Sequence, residues 1–169
     1  FLLVSFSSIA GGAATNLQPE ITAGATPLAA IKAGELTNLP SLFDMLVGNR
    51  GGTIGETCAI ALILGGVYLV ARKVISWHTP VVFITTVFVF SLIVKQSFNL
   101  ALYEVLGGGL LIGAIFMATD YATTPINKLG KVVFAFGCGI ITCLIRFWGD
   151  YPEGVSFAIL LMNILSPYI

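Results

Sequence analysis

Thr26 stands before a proline in the small-residue run Thr22-Ala23-Gly24-Ala25-Thr26-Pro27-Leu28. The residue before a proline is pushed out of the α region into extended backbone. Gly24 and Ala25 crowd its hydroxyl little, so Thr26 is expected to be open to another enzyme, as a covalent modification site requires. Small residues before Thr-Pro also occur in plain loops, so the run takes its weight from the rest of the chain. The other chemistry-bearing residues are charges in or beside apolar stretches: Glu56, Glu104, Asp120 and Arg146. An unpaired charge in such a place costs about 2.5–3.5 kcal/mol even on the lenient insertion scale. These residues therefore face a bundle interior or an aqueous cavity, or else cap helices at the membrane interface. Glu56 and Glu104, expected near the N-termini of spans, and Asp120, at a span end, are the candidates for an ion path. Asp120 beside the Thr119 hydroxyl offers oxygen ligands to Na⁺, or a proton carrier if burial raises its pKa. The alternative is that Asp120 caps the turn at 121–125, as Asp often does.

The elements that must position these groups are membrane helices. Of the 169 residues 57% are hydrophobic and 9% charged, and the formal net charge is zero. A soluble domain carries roughly 25% charged residues, and mean hydropathy here is +0.98. The balance excludes nucleic acid as a partner, since phosphate neutralisation needs clustered Lys and Arg. Five apolar stretches, 57–71, 79–94, 100–118, 132–148 and 155–169, carry at most one charge each. Most are apolar around the whole circumference, as a lipid-embedded or bundle-buried helix is. Several are shorter than the ~20 residues that cross a bilayer upright. A sixth stretch, 1–14, lacks the basic leading region of a signal peptide and reads as the end of a further span. The expected fold is all-α, a polytopic transmembrane bundle of five spans (56–169). It is preceded by a partial N-terminal span (1–14) and one long extramembrane loop (15–55), a length more often functional than connective.

Short-loop charges give an orientation. The loops at 72–78 and 120–131 hold two basic residues each, Arg72 with Lys73 and Lys128 with Lys131, whereas the alternate connections hold Lys95 or Arg146. The positive-inside rule places the former loops in the cytoplasm and the Thr26 loop outside. Trp77, Trp148, Tyr151 and Tyr168 lie near span ends, where aromatic rings favour the headgroups.

Other residues are read conservatively. Gly107-Gly108-Gly109 with Gly113 forms one small-xxx-small pair, a helix-packing face rather than a nucleotide cradle. Cys58, Cys138 and Cys143 show no metal-ligand spacing and are expected to be buried thiols. Gly51, Gly52 and Gly55 lead into a helix whose free N–H groups suit a phosphate or a flavin carbonyl, or simply form a packed joint.

Several motifs carry a family resemblance. Gly51-Gly52-Thr53-Ile54-Gly55-Glu56-Thr57, Phe116-Met117-Ala118-Thr119-Asp120 with Thr124-Pro125, and Tyr151-Pro152-Glu153-Gly154-Val155 running into Leu161–Pro167 occur in this order. Together with the Gly-Ala-Thr run they resemble the family that contains the D component of the Rnf electron-transport complex and the B component of the Na⁺-pumping quinone reductase. The Ala-Arg-Lys-Val-Ile-Ser-Trp run at 71–77 brings it closer to the Rnf branch. The resemblance covers roughly Thr22 to the last residue and corresponds to the C-terminal half of such proteins. Ala23 stands where members usually have Ser or Asp.

The resemblance implies a membrane subunit of an ion-translocating ferredoxin:NAD⁺ oxidoreductase, a redox-driven translocase of the prokaryotic inner membrane. It implies FMN linked through a phosphoester to Thr26 by a flavin transferase, and leaves room for a second, non-covalent flavin. Gly24, Ala25, Gly52, Thr53 and Glu56 are the implied cofactor neighbours. Lys32 and Arg50 would stabilise the anionic reduced ring, and Leu28, Phe43 and Met45 would form an apolar slot. Iron–sulfur and flavin subunits would be partners, with Na⁺ or H⁺ as the transported ion. A cofactor-free channel or transporter half, or a structural anchor, are the alternatives.

Overall fold

The 18-residue helix His78–Lys95 and the 21-residue helix Lys128–Trp148 form the frame of the molecule. At 1.5 Å per residue they are about 27 and 32 Å long, matching a hydrocarbon core of about 30 Å. The computed structural model describes residues 28, 31–32, 40–48, 58–149 and 153–169. In chain order the helices are α1 (Leu42–Val47), α2 (Ala59–Ala71), α3 (His78–Lys95), α4 (Phe98–Leu106) and α5 (Leu110–Ile112). A π-helical turn (Gly113–Met117) continues α5, followed by α6 (Lys128–Trp148), α7 (Val155–Leu165) and a closing 3₁₀ turn (Ser166–Tyr168). No strand occurs among the described residues, in keeping with the all-α reading. The partial span expected at 1–14 lies outside the described residues.

The two long helices pair because each buries one line of residues. On α3 the line is Thr79, Phe83, Val87 and Ser91, at intervals of four. On α6 it is Phe134, Ala135, Cys138, Gly139, Thr142, Cys143 and Arg146, a stripe at the 3–4 spacing of one helix face. Gly139 lets the backbones meet: a Cβ there would lie 2.7 Å from the Thr86 side chain. Pro80 sits in the first turn of α3, where no intrahelical N–H is required. Three threonine hydroxyls bond back along their own helices. Thr86 and Thr142 donate to the carbonyls of Val82 and Cys138 at 2.7 and 2.8 Å, and Thr85 donates to Val81. The opposite faces stay apolar and outward, as with Ile93, 66% exposed.

The stretch 100–118 is not the one straight helix that its hydropathy suggests, although its two halves together remain long and apolar enough for a span. It is broken at Gly107–Gly109 into α4 and α5, bent by 63°. Gly108 causes the break, with φ at +61°, a conformation that costs an L-residue roughly 1–2 kcal/mol. The glycine run thus serves as a hinge in the backbone, while Gly113 does pack closely, against Val155 of α7. By length and composition, α3 and α6 are able to cross a membrane, and the bent pair makes a third candidate. The helices Ala59–Ala71 and Val155–Tyr168 are apolar but shorter.

Candidate functional site

A broken helix in a membrane protein leaves carbonyls that the helix itself cannot satisfy. At the end of α4 the Gly107 N–H takes the Tyr103 carbonyl at 2.7 Å. The next carbonyl, that of Glu104, is taken by Arg146, whose Nη1 donates to it at 2.6 Å. The same nitrogen lies 3.2 Å from Glu104 Oε2, and both side chains are almost fully buried. Arg146 thus caps α4 with a cation at the negative end of its dipole and pairs with the carboxylate one turn inside it. Glu104 therefore sits in the last turn of α4 rather than near an N-terminus, because α4 stops at Leu106.

The pair walls a cavity of about 150 Å³ completed by Leu28, Ile31, Lys32, Lys95 and Phe147. Lys95, the last residue of α3, lies 5.5 Å from the centre of the Phe147 ring. Phe147 is in turn held by Phe90, with ring centres 6.1 Å apart. Lys32 donates through Nζ to the Gly149 carbonyl just beyond α6. Leu28 packs on the hinge: a Cβ on Gly108 would meet Leu28 Cδ1 at 2.5 Å and Glu153 Oε1 at 3.1 Å. The site thus draws on the ends of α3, α4 and α6 and on the segment just after Thr26. Among the described residues its charged lining is Lys32, Lys95, Arg146 and Glu104.

Arg146 is left with donors to spare. A guanidinium carries five N–H bonds, yet Nε and Nη2 are buried without a hydrogen-bond partner among the described residues. Each buried unsatisfied group costs about 1–3 kcal/mol, and more when charged.

Of the residues singled out in the sequence, Lys32 and Glu104 meet at this cavity. Leu28 lines it, Met45 is fully buried, and Phe43 is 71% exposed. Gly24, Ala25, Thr26, Arg50, Gly52, Thr53 and Glu56 lie outside the described residues. Asp120 is exposed at the far end of the π turn. Its Oδ2 accepts from the Thr123 hydroxyl at 3.3 Å, and its carbonyl accepts from the Thr124 hydroxyl at 2.5 Å. The Thr119 hydroxyl turns away to the Ile115 carbonyl at 2.6 Å. Arg146 and Lys95 were not among the sequence candidates for this site. Their signal was available: opposite lone charges in separate apolar stretches, Glu104 and Arg146, are natural partners.

A model of the NQR2, RnfD, RnfE family matches residues 1–169. The D component of the Na⁺-translocating ferredoxin:NAD⁺ oxidoreductase complex of Acetobacterium woodii is 43% identical over 171 residues, covering 100% of this chain and 53% of that protein. The D component of the proton-translocating ferredoxin:NAD⁺ oxidoreductase complex of Clostridium ljungdahlii is 42% identical over 86% of this chain and 47% of its own length. The D component of the ion-translocating oxidoreductase complex of Stutzerimonas stutzeri is 40% identical over 91% of this chain and 43% of its own length. The chain spans about half the length of the curated relatives it matches. With the whole chain matched, it belongs to the NQR2, RnfD, RnfE family.

Proposed function

We propose that this chain is part of the D component of an Rnf-type, ion-translocating ferredoxin:NAD⁺ oxidoreductase. The observation that carries the reading is the 43% identity along the full chain to the corresponding component of a Na⁺-translocating complex. In this reading the protein is a multi-pass inner-membrane subunit with five spans and an extracytoplasmic Thr26 loop. Its partners are the iron–sulfur and flavin subunits of the complex, with a flavin transferase acting during maturation. The ion is Na⁺ or H⁺. A sodium-translocating relative is 43% identical over 100% of this chain and a proton-translocating one 42% over 86% of it, so percentage identity does not select between the ions.

The same reading gives the chain an FMN esterified to Thr26. When bound, a flavin supplies the one- and two-electron chemistry that side chains lack. What supports an anionic group near this segment is that Lys32, Lys95 and Arg146 line one cavity. Leu28, which lines this cavity, is two residues after Thr26, and two peptide units span at most about 7 Å. The cavity is smaller than the 300–1,000 Å³ typical of cofactor pockets, so it suits a small anionic group rather than the three-ring system. The residues of this chain then hold negative charge near the end of α6 and exclude water from it with Leu28, Ile31 and Phe147.

The test is reconstitution of the purified complex into liposomes with reduced ferredoxin and NAD⁺. The reading expects ion uptake coupled to NADH formation, both lost in Thr26→Ala with the complex still assembled. Full coupled turnover in Thr26→Ala would remove the flavin from the account, and no redox-linked uptake in the wild type would remove the translocase.

A further inference from the structure

We propose that the end of the bundle where α2, α3 and α6 meet binds an anionic phospholipid. Lys73 and Lys131 hold its phosphate, and an acyl chain lies between α2 and α3. Two adjoining cavities carry the case. The first, of about 350 Å³, is lined by Lys73, Ser76 and Trp77 of the α2–α3 turn, Thr119 and Tyr121 after the π turn, and Lys131 of α6. The second, of about 430 Å³, is lined by apolar residues alone, from Ile63 to Ala71 on α2 and from Pro80 to Ile84 on α3, with Ile75, Trp77 and Ile115. Val70, Ile75 and Trp77 line both. A cationic mouth thus leads into an apolar groove, the same division that a phospholipid carries within itself.

The groove has the depth that this occupant needs. From Ile63 to Val70, α2 advances about 10 Å, enough for the upper part of an acyl chain. Its floor is Gly66, where a Cβ would meet Ile115 Cγ2 at 2.9 Å, and the exposed Val67 and Val81 form its rims. Trp77 stands at the junction, stacked on His78 with ring centres 4.2 Å apart, as an indole at headgroup level does.

Charge selects the headgroup. Among the described residues no carboxylate lines either cavity, and Asp120, beside Tyr121, accepts from Thr123 through Oδ2. Lys73 is not spent as a helix cap. The carbonyls of Tyr68, Leu69 and Val70 are taken by the backbone N–H groups of Arg72, Val74 and Lys73 at 2.9–3.0 Å. The positive-inside reading gives this end the cytoplasmic leaflet, whose anionic lipids attract lysines near the surface. A second groove, of about 550 Å³ between α3 and α6, has no charged residue in its lining, so nothing there selects a headgroup.

Native mass spectrometry tests this on the purified complex, delipidated in detergent and titrated with phosphatidylglycerol or with phosphatidylcholine of the same acyl chains. The wild type is expected to hold one phosphatidylglycerol that the double variant Lys73→Gly with Lys131→Gln loses, and to prefer it to phosphatidylcholine at that step. Each single substitution should weaken the step about fivefold. Lys73 has φ at +56°, which glycine suits at a helix end, so the melting temperature should hold while binding falls. Val67→Trp fills the apolar groove with both lysines in place and should also abolish the step, whereas Val89→Trp in the α3–α6 groove should leave it unchanged. Equal uptake of the two lipids, wild-type binding in the double variant or in Val67→Trp, or an equal loss in Val89→Trp overturns the proposal. A partner subunit's helix seated in the groove would leave the wild type without the phosphatidylglycerol step, which overturns it as well.

Discussion

The α3–α6 pair and the α4–α5 elbow handle the same membrane constraint in opposite ways. Along α3 and α6 the backbone bonds stay within each helix, and threonine hydroxyls fold back on their own carbonyls. At the elbow the helix is interrupted, and a buried arginine from α6 has to supply the missing partner. Along most of its length the first arrangement is a packed frame, with Lys95 and Arg146 at its ends. The second imports charge into the bundle and leaves two donors without a partner among the described residues. The interruption places a buried charged pair, Glu104 and Arg146, inside an apolar body.

The comparison predicts where substitutions hurt. Glu104→Leu should have the largest effect, since it strands the Arg146 charge; breaking a buried pair costs about 3–5 kcal/mol. The double variant Glu104→Leu with Arg146→Met should recover most of that loss in thermal unfolding of the purified complex. A double variant no better than the single would mean that the pair does not act as a unit. Next comes the frame: Gly139→Leu overfills the α3–α6 contact and should cost about 1–3 kcal/mol. A wild-type melting temperature in that variant would show that the two backbones do not meet there.

Gly108→Ala tests the elbow itself. Its left-handed backbone makes the change unfavourable by roughly 1–2 kcal/mol, while the Leu28 tip that it meets is able to move. A stabilising Gly108→Ala would mean that the elbow is not bent as described. The smallest effect is expected from Asp120→Asn. Asp120 is exposed in a turn stitched by Thr123 and Thr124, a role that Asn fills equally well. Assembly and stability should be unchanged, and ion uptake by proteoliposomes then reads Asp120 as a path residue if transport falls more than redox turnover. Equal, wild-type values would leave it only the turn.

How much of this was legible in the sequence differs between the same two regions. The frame was readable in outline: the apolar run at 79–94 became His78–Lys95, and the run at 132–148 became Lys128–Trp148, which starts a turn earlier. Hydropathy works there because an uninterrupted helix is the only way to bury that backbone. The elbow was not readable, because hydropathy measures how deep a residue prefers to lie and is blind to the path of the chain. Residues 100–118 stay apolar through the bend, and Gly107–Gly109 reads as a packing face until Gly108 is seen in the left-handed region. Glu104 was marked as a charge that needs an explanation, but the cavity depends on a contact across 42 positions that no local pattern records. The family, by contrast, was carried by short motifs in order, and those survive without any knowledge of the fold.

The redox role proposed for this chain stands or falls with a flavin on the Gly-Ala-Thr threonine. Its most direct test is the mass of the proteolytic peptide containing Thr26, taken from complex purified out of cells that express the flavin transferase. An added FMN phosphoester on Thr26 is expected, with ultraviolet fluorescence in the denatured polypeptide band that disappears in Thr26→Ala. An unmodified Thr26 peptide with a dark band would contradict it.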